Sequence, residues 1–443
     1  MFSSILVRNL GPLRNVSLDL SADFSVIIGP QASGKSTFGK IIYFCKKIRD
    51  YAIDFIGEEE MFFSSSIDEM YDAFLRKLID KFRKTFDPSE HISRDFFVKY
   101  YYNEGDFVEL TADEKKYIQI HFSDNIERIL RDLFKSMIKL NNDQIQKNGD
   151  EWNKVAFSQF WNYQGAVQSK MRWANNIFHN DAEIIYIPAG RGIFSILATQ
   201  FGSISNFALP ITDFIERVKI IKERFRKSLD KVVNDYSKTD REPVNKDDLK
   251  LAQDIIRKIL KADYVNDTDG EKLYFDSNNW VRLIYGSSGQ QEALWILLLM
   301  FSLILEHKKA FVILEEPEAN VYPNAQLDII KLIALTLNST QSQFFITTHS
   351  PYIMTSANLL IHSGQVENNI SENEETPIIP KPLRIDPGVT AAYKITDSGK
   401  ELHNIRDPET GMFDASEIDA ISDIIGEATD KLIDLEVEHE CRE

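Results

Sequence analysis

The 443-residue chain contains 43% hydrophobic residues, which is enough for two or three domains with large cores. Its net charge of −17 excludes a general electrostatic binder of nucleic acid. The two cysteines, Cys45 and Cys441, are too few for a disulfide framework or a thiolate zinc site and indicate a reducing compartment. No signal-peptide pattern follows Met1, and the apolar run from Ala293 to Leu305 is shorter than the roughly 20 residues of a membrane span. We therefore expect a cytoplasmic protein without a membrane partner.

The first informative element is an apolar run from Phe24 to Ile28, which predicts a buried strand. It is followed by the pattern G-x-x-x-x-G-K-S, the sequence of a phosphate-binding P-loop. Its backbone N–H groups would cradle phosphate oxygens, Lys35 would reach the β- and γ-phosphates, and the Ser36 hydroxyl would bind Mg²⁺. The sequence therefore predicts a site for ATP with Mg²⁺, whose cradle consists of Gly29, Pro30, Gln31, Ala32, Ser33, Gly34, Lys35, Ser36 and Thr37.

The interval after the P-loop helix is predicted to be mostly helical. Amphipathic patterns cover residues 47–90 and 111–148, and alternation within residues 96–110 predicts a pair of strands. A further strand over residues 183–187 runs into Pro188-Ala189-Gly190-Arg191, and a second helical segment spans residues 207–262. Strands return over residues 271–285.

Seven basic residues fall on one predicted helix within that second helical segment. The pattern is typical of a solvated helix face, and it also fits a patch that contacts a nucleic-acid backbone. The sequence leaves both interpretations open for Arg217, Lys219, Lys222, Arg224, Arg226, Lys227 and Lys231.

Three later segments carry further chemistry. A Ser/Gly cluster, with candidate ligand residues Ser287, Ser288, Gly289 and Gln290, precedes an apolar helix and is a second candidate anion site, although a simple N-cap has the same pattern. A buried strand over residues 311–314 ends in Glu315 and Glu316, which are placed to bind Mg²⁺ and to polarise a water molecule. Another buried strand ends in Thr347-Thr348-His349-Ser350-Pro351.

Taken together, these motifs resemble the ABC-type ATPase family, and within it the SMC/RecF/OLD-like branch. The order is that of the family: P-loop, signature, Walker B, D-loop and switch histidine. The resemblance implies that Glu315 binds the metal, that Glu316 is the catalytic base, that Lys35 is catalytic, and that His349 contacts the γ-phosphate. It also implies an α/β fold: a P-loop NTPase of ABC-ATPase type, a mixed sheet with antiparallel N-terminal strands, and helical insertions.

The chain departs from the family pattern at several positions. Glu315 stands where the family usually has Asp, Tyr322 replaces a D-loop histidine, and the signature lacks its usual leucine and second glycine. The segment ending in Arg191 is similar to one in OLD-like ATPases. Its arginine would face the nucleotide or a partner subunit, or it would pair with a surface carboxylate. Residues 5–20 look like the family's opening hairpin, with Arg8 and Asn9 as weak candidates for nucleotide contact.

The resemblance also predicts an organisation and partners. The expected N-terminal core with the P-loop spans 1–46 and is followed by a mostly helical insertion over 47–180. A core strand with the Arg191 segment spans 181–206, and a second helical insertion spans 207–262. The C-terminal core spans 263–365, and an acidic C-terminal segment spans 366–443. In the family two protomers enclose ATP between P-loop and signature, so we expect a head-to-tail homodimer or higher oligomer.

The architecture is similar to the ATPase subunits of bacterial anti-phage systems of the Septu and PARIS types. It implies a separate effector subunit, a nuclease or a toxin, that is driven by ATP hydrolysis. Two alternatives stay open: an ATP-gated scaffold that sequesters a toxin with little turnover, and a DNA-repair ATPase of SMC or RecF type. DNA is accordingly a further candidate partner.

Overall fold

The computed structural model describes residues 3–57, 66–86, 92–148, 172–194, 207–238, 245–367, 378–396, 399–415 and 425–433. Numbered along the chain, the strands are β1 (Ser4–Leu10), β2 (Leu13–Asp19), β3 (Phe24–Ile28), β4 (Ile92–Tyr101), β5 (Phe107–Ala112), β6 (Ile118–Phe122), β7 (Glu183–Ile187), β8 (Asp263–Asp267), β9 (Gly270–Tyr274), β10 (Trp280–Arg282), β11 (Ala310–Glu315), β12 (Gln343–Thr347), β13 (Thr390–Ile395) and β14 (Leu402–Asn404). The helices are α1 (Lys35–Gly57), α2 (Ile67–Phe86), α3 (Asp124–Asn148), α4 (Leu209–Arg224), α5 (Leu229–Tyr236), α6 (Lys246–Leu260), α7 (Ser288–Glu306), α8 (Pro323–Thr340) and α9 (Pro351–Glu367).

The central sheet has the order β14-β13-β3-β12-β11-β7, and its strands run parallel except for β14. Every residue of β3 and of β11 is buried, as expected for a parallel sheet that is covered on both faces. Alternate residues of β3 enter different cores: Val26 and Ile28 face one cluster, and Ile27 faces the other. The α/β fold class predicted from the sequence is confirmed.

The antiparallel N-terminal strands form a separate sheet in the order β2-β1-β4-β5-β6. The strand pair predicted within residues 96–110 is β4 and β5, which pair in antiparallel orientation with Tyr101 opposite Phe107. The helix predicted over residues 111–148 is wrong at its start, because β6 occupies residues 118–122. Its residues alternate between buried and exposed, which is the period of a strand that covers a core on one face. Part of the interval 47–180 therefore belongs to the same sheet as the N-terminus.

The segment after residue 366 also contributes to the central sheet, although the sequence indicated only an acidic segment outside the core. Strand β13 pairs in parallel with β3, so that Ala392 lies opposite Val26. The pairing joins two short strands from opposite ends of the chain, and no local pattern encodes such a partner. The P-loop strand is consequently flanked on both sides, by β12 and by β13.

Helix α7 lies behind the Ser/Gly cluster and is the most apolar helix of the described chain. Residues 292–305 are all buried, as the sequence predicted. By length and composition this helix alone, among the described residues, is apolar enough to cross a membrane, but 78% of the relevant window is buried inside the protein. The strands predicted just before it are β9 and β10, which pair with β8 in a small antiparallel sheet.

Candidate nucleotide site

The P-loop, the Glu315-Glu316 pair and His349 follow three neighbouring strands of the central sheet, β3, β11 and β12, at their carboxyl ends. Strand β12 lies between β3 and β11, and all three run in parallel. Carboxyl ends of neighbouring parallel strands meet at one edge of a sheet, where α/β proteins bind ligands. The fold thus brings three separate sequence motifs together at one edge.

The backbone of the P-loop requires its two glycines. Gly29 has φ 154° and Gly34 has φ 104°, both outside the range that other residues readily adopt. A Cβ atom on Gly29 would lie 2.7 Å from the carbonyl oxygen of Ile395, and one on Gly34 would lie 2.7 Å from Leu13. Both glycines are therefore also required by space.

The P-loop side chains and their contacts fit a bound phosphate group. Lys35 donates 2.7 Å hydrogen bonds from Nζ to the carbonyl oxygens of Gly29 and Pro30. The hydroxyl of Ser33 is buried and has no hydrogen-bond partner among the described residues, and Ser36 is exposed. Burial lowers the pKa of Lys35 to about 8, although three nearby glutamates oppose the shift. This loop provides a cation and an uncommitted hydroxyl, as a phosphate site requires.

The residue proposed for the metal, Glu315, is the last residue of β11. Its side chain is almost completely buried. The Oε2 atom accepts a long hydrogen bond of 3.4 Å from the Ala189 N–H, whereas Oε1 is buried without a partner among the described residues. A buried carboxylate oxygen without a donor is costly unless a cation binds there. The side chain therefore fits Mg²⁺, which protein sites commonly hold with one or two carboxylates plus phosphate oxygens.

Glu316 and His349 face each other across the end of the sheet. His349 Nε2 lies 3.8 Å from Glu316 Oε1, and both side chains are about 40% exposed. Glu316 has a left-handed backbone, with φ 43°, and its N–H donates to the carbonyl oxygen of Thr347. Burial, and secondarily Lys35, lowers the pKa of His349, so that its ring is neutral at pH 7. A neutral imidazole beside an accessible carboxylate suits the activation of water.

Glu318 is a site residue that the sequence analysis missed. Its Oε1 atom accepts hydrogen bonds from the Thr348 hydroxyl at 2.8 Å and from the His349 N–H at 2.7 Å. Burial raises the pKa of Glu318. The signal was present as a third acid in the segment Glu315-Glu316-Pro317-Glu318, but no pattern indicated that it would reach the loop after β12.

The signature residues form the start of α7. Ser287 caps the helix, since its hydroxyl accepts from the Gln290 N–H while the Gln290 side chain accepts from the Ser287 N–H. Gln290 also donates to the carbonyl oxygen of Leu260. The side chains of Ser287 and Gln290 are thus engaged within the chain, as in the N-cap interpretation. Ser288 is exposed, and a Cβ atom on Gly289 would lie 2.7 Å from the carbonyl oxygen of Asn320.

Arg191 is buried beside the end of β11, so the interpretation in which it pairs with a surface carboxylate is wrong. Its side chain is fully buried, faces neither solvent nor a surface carboxylate, and donates to the carbonyl oxygens of Glu315 and Glu316. Arg8 and Asn9 contact Asn15 and the carbonyl oxygen of Asp95, in the N-terminal sheet.

The basic segment between residues 217 and 231 is not one helix and does not form a free cationic face. It is divided between α4 and α5. Six of its seven basic residues form ion pairs with acidic side chains, as follows: Arg217–Glu183, Lys219–Glu216, Lys222–Glu271, Arg224–Glu306, Arg226–Glu223 and Lys227–Asp235. This charge balance favours the solvated helix face over the nucleic-acid patch.

Comparison with family models gives one match, to the AAA ATPase domain family (AAA_15), over residues 1–354. The chain belongs to this ATPase family. No curated protein sequence matches the chain significantly. Among solved structures, it is similar to an SMC head bound to the C-terminal winged-helix domain of ScpA, with 12% identity, a TM-score of 0.40, and 91% of this chain and 97% of that chain covered.

Two further SMC heads show the same level of similarity. The SMC head domain from Thermotoga maritima is 10% identical with a TM-score of 0.37, covering 92% of this chain and 99% of that one. An SMC head with an extended coiled coil, bound to the C-terminal domain of ScpA derived from Pyrococcus furiosus, is 11% identical with a TM-score of 0.39, covering 91% and 96%.

Proposed function

We propose that this protein binds ATP with Mg²⁺ at the P-loop and hydrolyses the terminal phosphate. The observation that carries the proposal is the meeting of three features at the ends of β3, β11 and β12: a phosphate cradle, a buried carboxylate with one oxygen that has no donor among the described residues, and an accessible Glu–His pair. Membership of the ATPase family supports it.

Each side chain at the sheet edge then has a separate task. Lys35 leaves its two carbonyl acceptors and binds phosphate oxygens. Ser36 and Glu315 hold Mg²⁺, which when bound neutralises charge that develops on the phosphates. Glu316 accepts a proton from the attacking water, and His349 contacts the terminal phosphate.

We propose that the site is completed by the signature of a second copy. Among the described residues, no hydrogen bond joins residues 287–290 to the P-loop. Three large aromatic side chains are unusually exposed. Tyr285 beside the signature is 73% exposed, Tyr322 in the D-loop (residues 319–323) is 75% exposed, and Tyr352 after His349 is 53% exposed. Such exposed aromatic residues are typical of protein interfaces. They support a head-to-tail dimer in which Ser288 and Gly289 face the partner's nucleotide.

We further propose that the ATP-gated dimer drives or gates a separate effector, a nuclease or toxin, in bacterial anti-phage defence. This part rests on the resemblance of the motifs to defence ATPases. The ion pairing of the basic segment between residues 217 and 231 does not favour the alternative DNA-repair ATPase.

The first experiment measures steady-state ATP hydrolysis by the wild type, Glu316→Gln and Lys35→Ala, with and without double-stranded DNA. Glu114→Gln serves as the matched control, because Glu114 is exposed in the β5–β6 turn, away from the site. We expect turnover in the wild type and the control, loss of it in both site variants, and an ATP-stable dimer of Glu316→Gln by light scattering.

The outcomes separate the candidate functions. Wild-type rates in Glu316→Gln would refute the catalytic assignment. Turnover stimulated by DNA without any partner would favour the repair ATPase. Tight ATP binding without turnover would favour the gated scaffold that sequesters a toxin.

A further inference from the structure

Arg191 is a buried arginine whose guanidinium is directed at backbone carbonyl groups. It lies four residues after the end of β7, in a single 3₁₀ turn over Arg191–Ile193, and its side chain is 0% exposed. Nη1 donates to the carbonyl oxygens of Pro188 at 2.8 Å and Glu315 at 2.6 Å, and Nη2 donates to that of Glu316 at 2.9 Å. The guanidinium thus holds both peptide units at the end of β11 that carry the proposed metal ligand and base.

The same arginine is fixed to the signature helix through Glu292. Its Nε donates to the carbonyl oxygen of Glu292 at 3.1 Å. The carboxylate of Glu292 accepts from the N–H of Arg191 at 2.7 Å and from that of Gly192 at 3.1 Å. Glu292 lies four residues after Ser288, about one helical turn into α7. Both members of the pair are buried, so their charges are compensated within the protein.

The backbone that Arg191 holds is strained. Glu316 has φ 43°, a left-handed conformation that costs a non-glycine residue free energy and persists only where surrounding contacts enforce it. Three contacts do so here: the N–H of Glu316 donates to the carbonyl oxygen of Thr347, and the carbonyl oxygen of Glu316 accepts from Arg191 and from the Ala319 N–H. Without the arginine, the carbonyl oxygen of Glu316 would keep only the hydrogen bond from Ala319, and the carbonyl oxygen of Glu315 would lose its contact with the guanidinium.

We propose that Arg191 is a positioning residue for Glu316 and that Glu292 couples the position of the signature helix to it. This inference rests on the proposed ATPase function and deepens it. A displacement of the first turns of α7, where a second copy would engage Ser288, moves Glu292 and Arg191 together. The carbonyl groups of Glu315 and Glu316 follow, so that the base takes its working direction when the signature is engaged.

The test uses conservative variants and a matched control. Arg191→Lys keeps the charge but loses the planar fork that reaches three carbonyl groups. Glu292→Gln keeps the size of the side chain but replaces one acceptor oxygen with a donor. Arg217→Lys is the control, because Arg217 pairs with the carboxylate of Glu183, the first residue of β7, and does not contact the residues after β11.

The first readout is the division of the effect between kcat and KM. For Arg191→Lys we expect kcat to fall about tenfold to a hundredfold, as for other groups that orient a reacting side chain, with the KM for ATP and the affinity for a fluorescent ATP analogue within threefold of wild type. Glu292→Gln should show the same division with a smaller loss, and Arg217→Lys should stay within twofold. The double variant should lose less than the product of the single losses.

The second readout does not depend on turnover. Hydrogen–deuterium exchange of the peptide that covers residues 315–320 should increase in Arg191→Lys, and also in Glu292→Gln although Glu292 touches neither Glu315 nor Glu316 directly. Unchanged exchange in that peptide would overturn the coupling, even if the wild type proved inactive. Equal losses of ATP affinity and turnover with a lowered Tm would reduce the pair to a structural role and overturn the proposal. An inactive wild type would instead refute the proposed function itself.

Discussion

The carboxylate of Glu318 accepts a 2.7 Å hydrogen bond from the backbone N–H of His349. The same oxygen, Oε1, accepts from the Thr348 hydroxyl at 2.8 Å, so one half-buried side chain after β11 holds the loop after β12. Because Glu316 and His349 lie on these two segments, Glu318 adds to the hydrogen bond between Glu316 and Thr347 in holding them at their distance. The distance of 3.8 Å between Glu316 and His349 therefore depends on a residue that contacts neither of their side chains in the described structure.

Two substitutions of Glu318 distinguish what its hydrogen bonds contribute to stability from what its charge contributes. Glu318→Ala leaves two donors without an acceptor and should lower the free energy of unfolding by about 2–4 kcal/mol, at about 1–2 kcal/mol per lost bond. Glu318→Gln should stay within about 1 kcal/mol of wild type, because an amide oxygen accepts both bonds and the cost of burying a charge is removed. Urea unfolding of both variants measures this. Equal destabilisation by Ala and Gln would show that the charge, and not the acceptor, matters.

The lowered pKa of Lys35 predicts that ATP binding takes up a proton at alkaline pH. Burial lowers the pKa of Lys35 to about 8 in the free protein, so above pH 8 most molecules carry a neutral amine there. Bound phosphate raises the pKa, and the proton must come from solvent. We expect proton uptake to approach one per ATP at pH 9 and to vanish near pH 6.5, with affinity decreasing as the pH rises above 8.

Calorimetric titration in buffers of different ionisation enthalpy measures this uptake. Lys35→Arg is the control, because a guanidinium remains charged over this range and its binding should be free of uptake from this position. The same uptake at pH 6.5 and at pH 9 would contradict the assignment of the proton to Lys35.

The sequence could predict those parts of the fold and site that are encoded locally. The P-loop is a contiguous pattern in which glycine spacing and a preceding strand determine the backbone, so its conformation follows from nearby residues alone. The strands before Glu315 and Thr347 were equally evident, because buried parallel strands are continuous apolar runs. The assignments of metal ligand and base remain predictions, since they depend on the resemblance.

Features that depend on distant residues could not be predicted in this way. Arg191 hydrogen-bonds to residues more than 100 positions later in the chain, and its buried role depends on those partners rather than on its neighbours. Strand β13 was missed as a core strand because its partner β3 lies near the other end of the chain. Strand β6 of the N-terminal sheet was missed because it has only five residues. Their alternation is too short to be distinguished from the helical pattern that follows.

Lys46 predicts an unusual dependence of stability on pH. Its ammonium group is buried in α1, lies 4.0 Å from the ring of Phe311, and has no carboxylate partner among the described residues. Burial, reinforced by Arg49, lowers its pKa to about 7. Between pH 10 and pH 7 the unfolded chain binds a proton here that the folded protein does not, so this group reduces stability as the pH falls through that range.

Lys46→Met should therefore stabilise the protein at pH 7 by about 1–3 kcal/mol, with a smaller gain near pH 10, because an apolar side chain of similar length replaces a costly charge. Urea unfolding at both pH values measures the difference. Lys40→Met, at a half-buried position on the same helix, controls for the change of residue type. Destabilisation by Lys46→Met at pH 7 would contradict a net cost of burying the ammonium group.

The close approach of Gly289 to the D-loop, residues 319–323, predicts a defect in the proposed dimer. A Cβ atom on Gly289 would lie 2.7 Å from the carbonyl oxygen of Asn320, too close for the two segments to keep their positions. Gly289→Ala should displace the first turn of α7, where Ser288 is exposed, while the buried residues 292–305 keep the helix in place.

We expect the ATP-dependent dimer of the Glu316→Gln background to weaken at least tenfold in Gly289→Ala. Light scattering with ATP measures it, and Gly105→Ala is the control, because its nearest neighbour would be 3.8 Å away. An unchanged dimer in a folded Gly289→Ala protein would place the contact between copies away from the signature.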